Sequence, residues 1–420
     1  MCRFPCWWAS LACCVLVCIL YASFARVRAE CNCSSCNVIG MSQIFDSQNA
    51  TTGACTVLFI APLPPPTTGQ SVACQALYDD LVVRGHRLRL VNLSKNTFRQ
   101  GVSSVGRVFQ IAKVVFDTLR QRSSADCVYF TPAESVAGNL KDLLILAVLG
   151  DRLRHTYLHL HGGAGMRVLL SEQHPWLRRL NGWFLGRVAG VIVLGHRHEG
   201  IYEPLVSRHR IHVIKNFAPD ALFVSDEELL EKWTLTGKRR VLFLSNLLPG
   251  KGYEELVQAI GALPPEVAAQ CHFDFAGGFE SEAALQAFKA SIGHLPNITY
   301  HGTVHGEAKR ELLRQAHLFC LPTYYPYEGQ PISILEAYAA GCAVITTDHS
   351  GIFDIFTPGE NGWEVAARSA TELTNALTRF ASNPVEAARI GHANAQVARN
   401  VYRREHHLAK LRQTLGLGEA

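Results

Sequence analysis

The stretch Glu328-Gly-Gln-Pro-Ile-Ser-Ile-Leu-Glu336 places two carboxylates around a predicted helix start. Proline fits the first position of a helix, because it has no N–H to leave unpaired and its fixed φ is already helical. We therefore predict one helix over about Pro331 to Ala340. Its first free N–H groups, at Ile332 and Ser333, would carry the positive end of the helix dipole and face the loop that holds Glu328. The pattern predicts a phosphate site at the helix start, beside a slot for a polyhydroxylated group with a carboxylate at each end.

A second segment has the pattern of a buried strand, a Pro-Gly turn and a helix. Residues 241–245 are mostly apolar, and Lys251 follows in the turn. Tyr253, Leu256 and Ile260 then recur at helical spacing, which indicates the buried face of a helix. A lysine at such a turn is a well-placed point charge for a diphosphate. A surface lysine without a ligand is the alternative.

Two features of the amino-terminal half also follow predicted strands. Gly69 lies after a proline-rich turn and opens a helix reaching about Arg84; a glycine there lets a ligand approach the backbone, although simple loop closure explains it equally well. Further on, alternation puts His159 and His161 on one face of a strand end. A zinc site would need a third ligand at convincing spacing. A structural histidine pair is the remaining alternative.

These segments resemble, in the expected order, the retaining, family-4 type glycosyltransferases of the GT-B fold, whose signature is a Glu-x7-Glu motif. The run Ala-Gly-Cys-Ala-Val-Ile at 340–345 strengthens the resemblance, which covers roughly residues 55–415. It implies transfer of a sugar from a nucleotide-diphosphate sugar to a hydroxyl acceptor, with retention at the anomeric carbon. Neither a metal nor a cofactor is implied, and no Asp-x-Asp pair occurs in a suitable loop.

The resemblance implies catalytic roles for three residues. Glu328 would hold hydroxyls of the donor sugar, Lys251 would bind the donor diphosphate, and His161 would contact the donor sugar. The residues predicted to bind substrate are Gly69, Asn246, Gly329, Gln330, Pro331, Ile332, Ser333 and Glu336, the last of these through the ribose hydroxyls. Asn246 departs from the family pattern, which has an arginine at this position. An amide can still donate a hydrogen bond, but it removes one positive charge from the diphosphate site.

Strand-like runs alternate with helical patterns along most of the chain, which predicts an α/β fold with parallel sheets. The predicted strands cover residues 57–61, 88–92, 127–130, 156–160, 190–194, 211–214, 241–245, 272–276, 317–321 and 343–346. With the resemblance, this indicates the GT-B architecture: two Rossmann-like doubly wound domains facing a cleft. We expect an acceptor domain at 52–217 and a donor domain at 218–393. A final helix at 394–415 is expected to pack back on the first domain.

Composition limits the partners. The net charge of +5 is too small to indicate nucleic-acid binding, so the expected partners are a nucleotide sugar and a glycan or lipid-linked acceptor. The basic and aromatic run His174–Arg187 suggests peripheral contact with an anionic membrane. Core packing of its residues Trp176, Leu180, Trp183 and Phe184 is the alternative that we favour.

Residues 1–40 form a hydrophobic leader that holds eight of the fourteen cysteines. Residues 7–25 are an uncharged run of 19 residues followed by Arg26 and Arg28. Three interpretations stay open: a membrane anchor, a cleaved signal, or a misassigned start with translation beginning at Met41. The arginines and the scattered thiols of the remaining chain favour a cytoplasmic enzyme, either free or membrane-associated.

Other functions stay open at this point. A glycoside hydrolase would use Glu328 and Glu336 as its carboxylate pair but would leave Lys251 without a task. A sugar-nucleotide epimerase of similar fold would share the cleft. A non-catalytic nucleotide-sugar-binding protein is compatible with Asn246. The sequence does not identify the donor base, the sugar or the acceptor, because acceptor contacts lie on variable loops.

Overall fold

The computed structural model describes residues 53–94, 104–234 and 237–418, except for the side chains of residues 104 and 105. The predictions for the leader at 1–40 therefore lie outside the described residues. Two parallel sheets of six strands each form the framework. This confirms the predicted α/β class and the two-sheet architecture.

The first sheet has the strand order β2-β1-β3-β4-β5-β6. Its strands are β1 Thr56–Ala61, β2 Arg87–Asn92, β3 Cys127–Phe130, β4 Thr156–His159, β5 Gly190–Val193 and β6 Ile211–Val213. Its helices are α1 Gly69–Val83, α2 Ser104–Gln121, α3 Val136–Leu149, α4 Ala164–Leu169, α5 Pro175–Leu185 and α6 Glu199–Tyr202. The apolar side chains of β1 are fully buried on both faces, as parallel strands covered by helices require.

The second sheet has the order β12-β11-β10-β7-β8-β9. Its strands are β7 Arg239–Leu244, β8 Cys271–Ala276, β9 Ile298–Tyr300, β10 Leu318–Leu321, β11 Ala343–Thr346 and β12 Gly362–Glu364. Its helices are α7 Asp226–Thr234, α8 Tyr253–Gly261, α9 Pro265–Gln270, α10 Glu282–Ile292, α11 Gly306–Gln315, α12 Ile332–Ala339, α13 Ala370–Ser382 and α14 Pro384–Val401. The edge strands β9 and β12 were not predicted; all three residues of β9 are only partly buried, and β12 contains a glycine and an exposed glutamate, so neither is a continuous apolar run.

The prediction of one helix at 394–415 is wrong. Helix α14 ends at Val401, and a separate helix, α15, covers Arg404–Leu415. The chain turns between them because the carbonyl of Tyr402 accepts a hydrogen bond from the Ala218 N–H, 2.9 Å away, in the connection between the sheets. Helix α14 packs on α12 of the second unit.

Only α15 returns to the first unit, where it packs against α1. Its Leu408 and Leu411 join the core that contains Leu77 of α1. Arg412 adds a buried ion pair with Asp80, at 2.9 Å. The carboxy-terminal end of the chain therefore fastens the two units to each other.

Candidate active site in the interdomain cleft

The turn that carries Lys251 depends on two glycines. Gly250 and Gly252 have φ of +91° and +82°, a region that side chains disfavour. A Cβ on Gly252 would lie 2.3 Å from the carbonyl oxygen of Pro322, in the loop after β10. The Tyr324 N–H also donates to the Gly250 carbonyl at 2.7 Å. These contacts place Lys251 beside the loop that leads to Glu328.

Lys251 and Glu328 form an ion pair, with Nζ and Oε2 2.6 Å apart. Both side chains are only 11% exposed, so little water screens their attraction. The hydroxyl of Thr323 donates a further hydrogen bond to the same carboxylate at 3.2 Å. The ring of Tyr325 lies 4.7 Å from the Lys251 ammonium. The structure thus brings together the lysine and the first glutamate predicted from separate motifs.

Helix α12 begins at Ile332, and Pro331 is its N-cap with ψ of 116°. The prediction that Pro331 is the first helical residue is therefore wrong by one position. The N–H groups of Ile332 and Ser333 are still the first of the helix, where backbone donors lack intrahelical acceptors. They lie four and five residues after Glu328 in the chain, so the positive end of the helix dipole is close to the loop that carries this carboxylate.

The loop before α12 touches the first unit directly. A Cβ on Gly329 would lie 2.0 Å from the carbonyl oxygen of His161, so only glycine fits at this approach. The Gln330 side chain accepts from the Asn216 N–H at 2.7 Å and donates to the Leu194 carbonyl at 2.9 Å. The Gln330 side-chain amide thus links the two units, a role that was not predicted from the sequence.

Glu336 is buried inside helix α12 and pairs with Lys309 of α11, with Nζ and Oε1 2.6 Å apart. Lys309 was not among the predicted site residues. Nothing in its local pattern distinguishes it from the other charges of a polar helix, and it precedes Glu336 by 27 residues. The two glutamates of the motif are therefore each matched with one lysine.

His161 lies next to a pair of buried histidines, His159 and His407. Its ring lies 4.0 Å from that of His159, which confirms that the two share one face. Burial, together with the nearby His407 of α15, lowers the pKa of His161 to about 3. Burial also lowers the pKa of His407, to about 4, and that of His159 well below its usual range. These rings are neutral at pH 7, so His161 can offer a hydrogen bond but no charge.

A cavity of about 390 Å³ opens between the units. The first unit contributes Arg167, Arg197 and His198, and the second contributes His349 and Ser350, in the loop after β11. None of these five residues was predicted. They follow strands at the carboxyl edge of each sheet, where ligands of α/β folds bind. Their position after predicted strands could therefore have identified them as candidate site residues.

Hydrogen bonds connect this cavity to the first glutamate of the motif. The Ser350 hydroxyl donates to the Glu328 carbonyl at 2.7 Å, and His198 Nε2 lies 3.2 Å from the same hydroxyl. Burial lowers the pKa of His198 to about 4. Arg197 forms an ion pair with Asp348 across the cleft. The loop after β11 is thus fixed against both units.

The two remaining predicted residues lie at the margin of the site. Asn246 is half-buried directly after β7. Gly69 is exposed at the start of α1, and a Cβ on it would lie 3.9 Å from Cδ1 of Ile332. The start of α1 at Gly69 therefore faces the start of helix α12.

Within the ranges 53–94, 104–234 and 237–418, no three His, Cys, Asp or Glu side chains are grouped so that they could hold a metal ion. The metal independence of the reaction stays a prediction. In the same ranges, no helix has both the length and the apolar character needed to cross a bilayer.

Two parallel six-stranded sheets with a cleft between them are the architecture of the GT-B class of α/β proteins. The sequence profile of the family described as glycosyl transferases group 1 matches residues 225–397. The match covers less than half of the chain, and it confirms the predicted likeness to group 1 glycosyltransferases of GT-B fold.

Individual glycosyltransferases are also similar in sequence to part of this chain. The 2-deoxystreptamine N-acetyl-D-glucosaminyltransferase of Niallia circulans is 32% identical over 130 residues, or 31% of this chain and 32% of the relative. The putative teichuronic acid biosynthesis glycosyltransferase TuaC of Bacillus subtilis is 30% identical over 143 residues, or 34% of this chain and 33% of the relative. The matched segments thus span about a third of these relatives.

A solved structure covers more of the chain. HepE of Anabaena, crystallised in complex with UDP and glucose, superposes with a TM-score of 0.63 over 86% of this chain and 99% of its own. Its sequence is 16% identical, so the likeness is one of fold.

Proposed function

We propose that this protein transfers a sugar from a nucleotide-diphosphate sugar to a hydroxyl group of a glycan or lipid-linked acceptor, with retention at the anomeric carbon. The observation that carries the proposal is the Lys251–Glu328 ion pair beside the first N–H groups of α12. The family match supports the proposal. The relatives from Niallia circulans and Bacillus subtilis are both named as glycosyltransferases, and HepE was crystallised in complex with UDP and glucose.

The donor diphosphate would lie between Lys251 and the N–H groups of Ile332 and Ser333. A compact ammonium and the positive end of a helix dipole both stabilise a phosphate without a metal. When the donor binds, Lys251 turns from Glu328 to the diphosphate, and Glu328 becomes free to accept hydrogen bonds from sugar hydroxyls. The 2.6 Å ion pair holds both groups in place before that exchange.

The nucleoside would lie near Glu336, whose carboxylate accepts hydrogen bonds from the ribose hydroxyls. Lys309 stabilises the charged carboxylate there, because an unpaired buried charge is costly. Neutral His161 would contact the donor sugar close to the anomeric carbon.

The transfer step breaks the bond between the anomeric carbon and the phosphate oxygen, and its electron pair stays on the departing phosphate. The acceptor hydroxyl oxygen bonds to the same face of the anomeric carbon and gives its proton to that phosphate oxygen. Lys251 and the backbone amides stabilise the charge that the phosphate gains, which is the usual role of preorganised donors in a closed site. Glu328 stabilises positive charge on the sugar ring.

A thermal-shift screen of the full chain against nucleotides and nucleotide sugars tests donor binding. A donor at about 100 times its dissociation constant stabilises a protein by about 2.7 kcal/mol, which raises the melting temperature by a few degrees. We expect Lys251→Ala to lose this shift. Lys289→Ala, an exposed lysine on α10, is the matched control and should keep it. Absence of a shift with every nucleotide sugar would count against a donor site.

Release of nucleoside diphosphate from the stabilising donor then tests catalysis, with water or a supplied alcohol as acceptor. We expect Glu328→Gln to bind the donor and to lower the release rate about 100-fold or more. Nuclear magnetic resonance of the sugar product would distinguish an epimerase, which changes the donor without releasing the nucleotide. Binding without turnover in the wild-type protein, with every acceptor tested, would favour a non-catalytic binding protein.

A further inference from the structure

Helix α2 exposes an apolar face that nothing in the described structure covers. Val108, Phe109 and Phe116 are 65%, 72% and 61% exposed, and Leu119 is 48% exposed. Isolated exposed apolar residues are normal on a protein surface, but a contiguous stripe of large ones marks an interaction site. We refer to these four residues as the α2 face.

The α2 face forms one side of an amphipathic helix. At 100° per residue, its four members lie within an arc of about 100°. Val114 and Val115 lie outside this arc and pack into the core of the first unit. The helix is therefore held in place by its inner side, and the α2 face is directed away from the protein.

Positive charge borders the α2 face. At 100° per residue, exposed Lys113 and Arg120 lie directly beside the face, whereas exposed Arg107 lies on another side, and Asp117 is the single acidic residue of the helix. Lys113 pairs with Asp117 at 2.6 Å, which leaves a net positive charge on the helix. Basic residues beside exposed phenylalanine, valine and leucine are typical of helices that lie in the surface of an anionic membrane.

Two other exposed apolar residues lie on neighbouring helices of the first unit. Helix α2 packs against α3, and α3 packs against α5, so the three helices form one layer on the sheet. Val136 opens α3 and is 43% exposed, and Trp176 lies in the first turn of α5 and is 52% exposed. Helices that follow parallel strands begin at the carboxyl edge of the sheet, which is the edge that borders the cleft.

The run His174–Arg187, for which membrane contact was predicted, packs mainly in the core. In the run His174–Arg187, Leu177 and Phe184 are buried and Leu180 and Trp183 pack on the core, so core packing accounts for this run. Only Trp176 departs from that interpretation, because its ring is exposed.

We propose that the α2 face docks on a membrane surface that contains anionic phospholipid. The face carries the two elements that such binding needs, apolar side chains that enter the acyl boundary and cations that meet the headgroups. Docking there would bring the cleft-side edge of the first sheet close to the bilayer. This inference concerns binding only, and it stands or fails independently of the transfer reaction.

Co-sedimentation of the full chain with vesicles tests the proposal. We expect binding to vesicles of phosphatidylcholine with about one third phosphatidylglycerol, weaker binding to pure phosphatidylcholine, and loss of the difference at high salt. Phe109→Glu combined with Phe116→Glu should lower the partition coefficient at least about tenfold. Each change removes an aromatic ring that would enter the bilayer and adds a negative charge that anionic lipid repels. Both positions are exposed, so folding should be retained.

The matched control combines Val385→Glu with Val401→Glu, two exposed valines of α14 in the other unit. It should bind as the wild type does. All three proteins keep the leader at 1–40, so a difference between them reports on α2 and not on the leader. Equal binding by the phenylalanine variant and the wild type would overturn the proposal. Sedimentation velocity showing a dimer that only the phenylalanine variant lacks, without lipid binding, would also overturn it and assign the face to a second copy of the chain.

Discussion

Asn216, in the connection between the two units, donates two hydrogen bonds to Gln330, in the loop before α12. The Asn216 N–H donates to Gln330 Oε1 at 2.7 Å, and the Asn216 side chain donates to the Gln330 carbonyl at 2.9 Å. Both residues are buried. The segment that connects the two units thus fixes the start of α12, where we propose that the donor phosphate binds.

Replacing Gln330 should therefore affect both stability and donor turnover. Gln330→Ala leaves the Asn216 N–H and the Leu194 carbonyl without their buried partner, which costs about 1–3 kcal/mol. We expect a melting temperature lower by several degrees and a smaller kcat/KM for donor turnover, measured on the same preparation. Gln396→Ala, an exposed glutamine on α14, is the control. Equal melting temperatures for the two variants would contradict the structural role of Gln330.

The two glycines at 252 and 359 offer a matched pair. Their φ angles are +82° and +83°, yet a Cβ on Gly359 would meet no atom within 4 Å, whereas one on Gly252 would lie 2.3 Å from the Pro322 carbonyl oxygen. Alanine at 359 should cost only the backbone strain, about 1–2 kcal/mol. Alanine at 252 adds an overlap that the backbone must relieve, for about 1–3 kcal/mol more.

Because Lys251 directly precedes Gly252, Gly252→Ala should also weaken donor binding, while Gly359→Ala should leave it unchanged. Differential scanning fluorimetry with and without the donor separates the two effects. If both variants kept full donor affinity, the fixed conformation of the turn would not matter for the site.

The sequence was informative where the chemistry lies within one segment. Lys251 follows a buried strand and Glu328 precedes a helix start, so each is found from its own neighbours. The strands were recognised because both faces of each parallel strand are apolar, as in β1, β10 and β11.

Contacts between distant segments could not be predicted in the same way. Lys309 meets Glu336 only because α11 and α12 flank the same sheet, and His407 reaches His159 only because α15 crosses back to the first unit. The break before α15 is also tertiary in origin, since the hydrogen bond from Ala218 to the Tyr402 carbonyl ends α14 within an otherwise helical sequence.

Lys309 gives a test of the site that the sequence did not suggest. If Glu336 holds the ribose, Lys309→Ala leaves a buried carboxylate unpaired, which favours its protonation and weakens its hydrogen bonds from the ribose. We expect donor affinity to fall about tenfold, with Lys309→Arg recovering most of it because the positive charge is retained. Lys289→Ala is again the exposed control. Isothermal titration with the donor measures the effect, and unchanged affinity in Lys309→Ala would argue against a nucleoside beside Glu336.

Stability should fall in mild acid because of buried neutral histidines, and His317 is the clearest case. Its Nδ1 accepts from the Arg240 N–H at 3.1 Å, and its Nε2 lies 3.0 Å from the Lys232 carbonyl. Protonation would put a hydrogen on the accepting nitrogen. Burial and then the nearby charge of Lys232 lower the pKa of His317 to about 4.

Below the ordinary histidine pKa of about 6.5, His317 is protonated in the unfolded chain. In the folded protein it stays neutral down to about pH 4. His317 therefore makes no difference above about pH 6.5 and destabilises the fold as the pH falls through this window, by up to about 1.4 kcal/mol per pH unit. His317→Gln should lower the melting temperature at pH 7.5, because its two hydrogen bonds are not both replaced, yet lose less between pH 7 and 5 than the wild type. His392→Gln, at an exposed position of α14, should keep the wild-type dependence. Parallel pH profiles for the wild type and His317→Gln would show that this ring titrates normally in the folded protein.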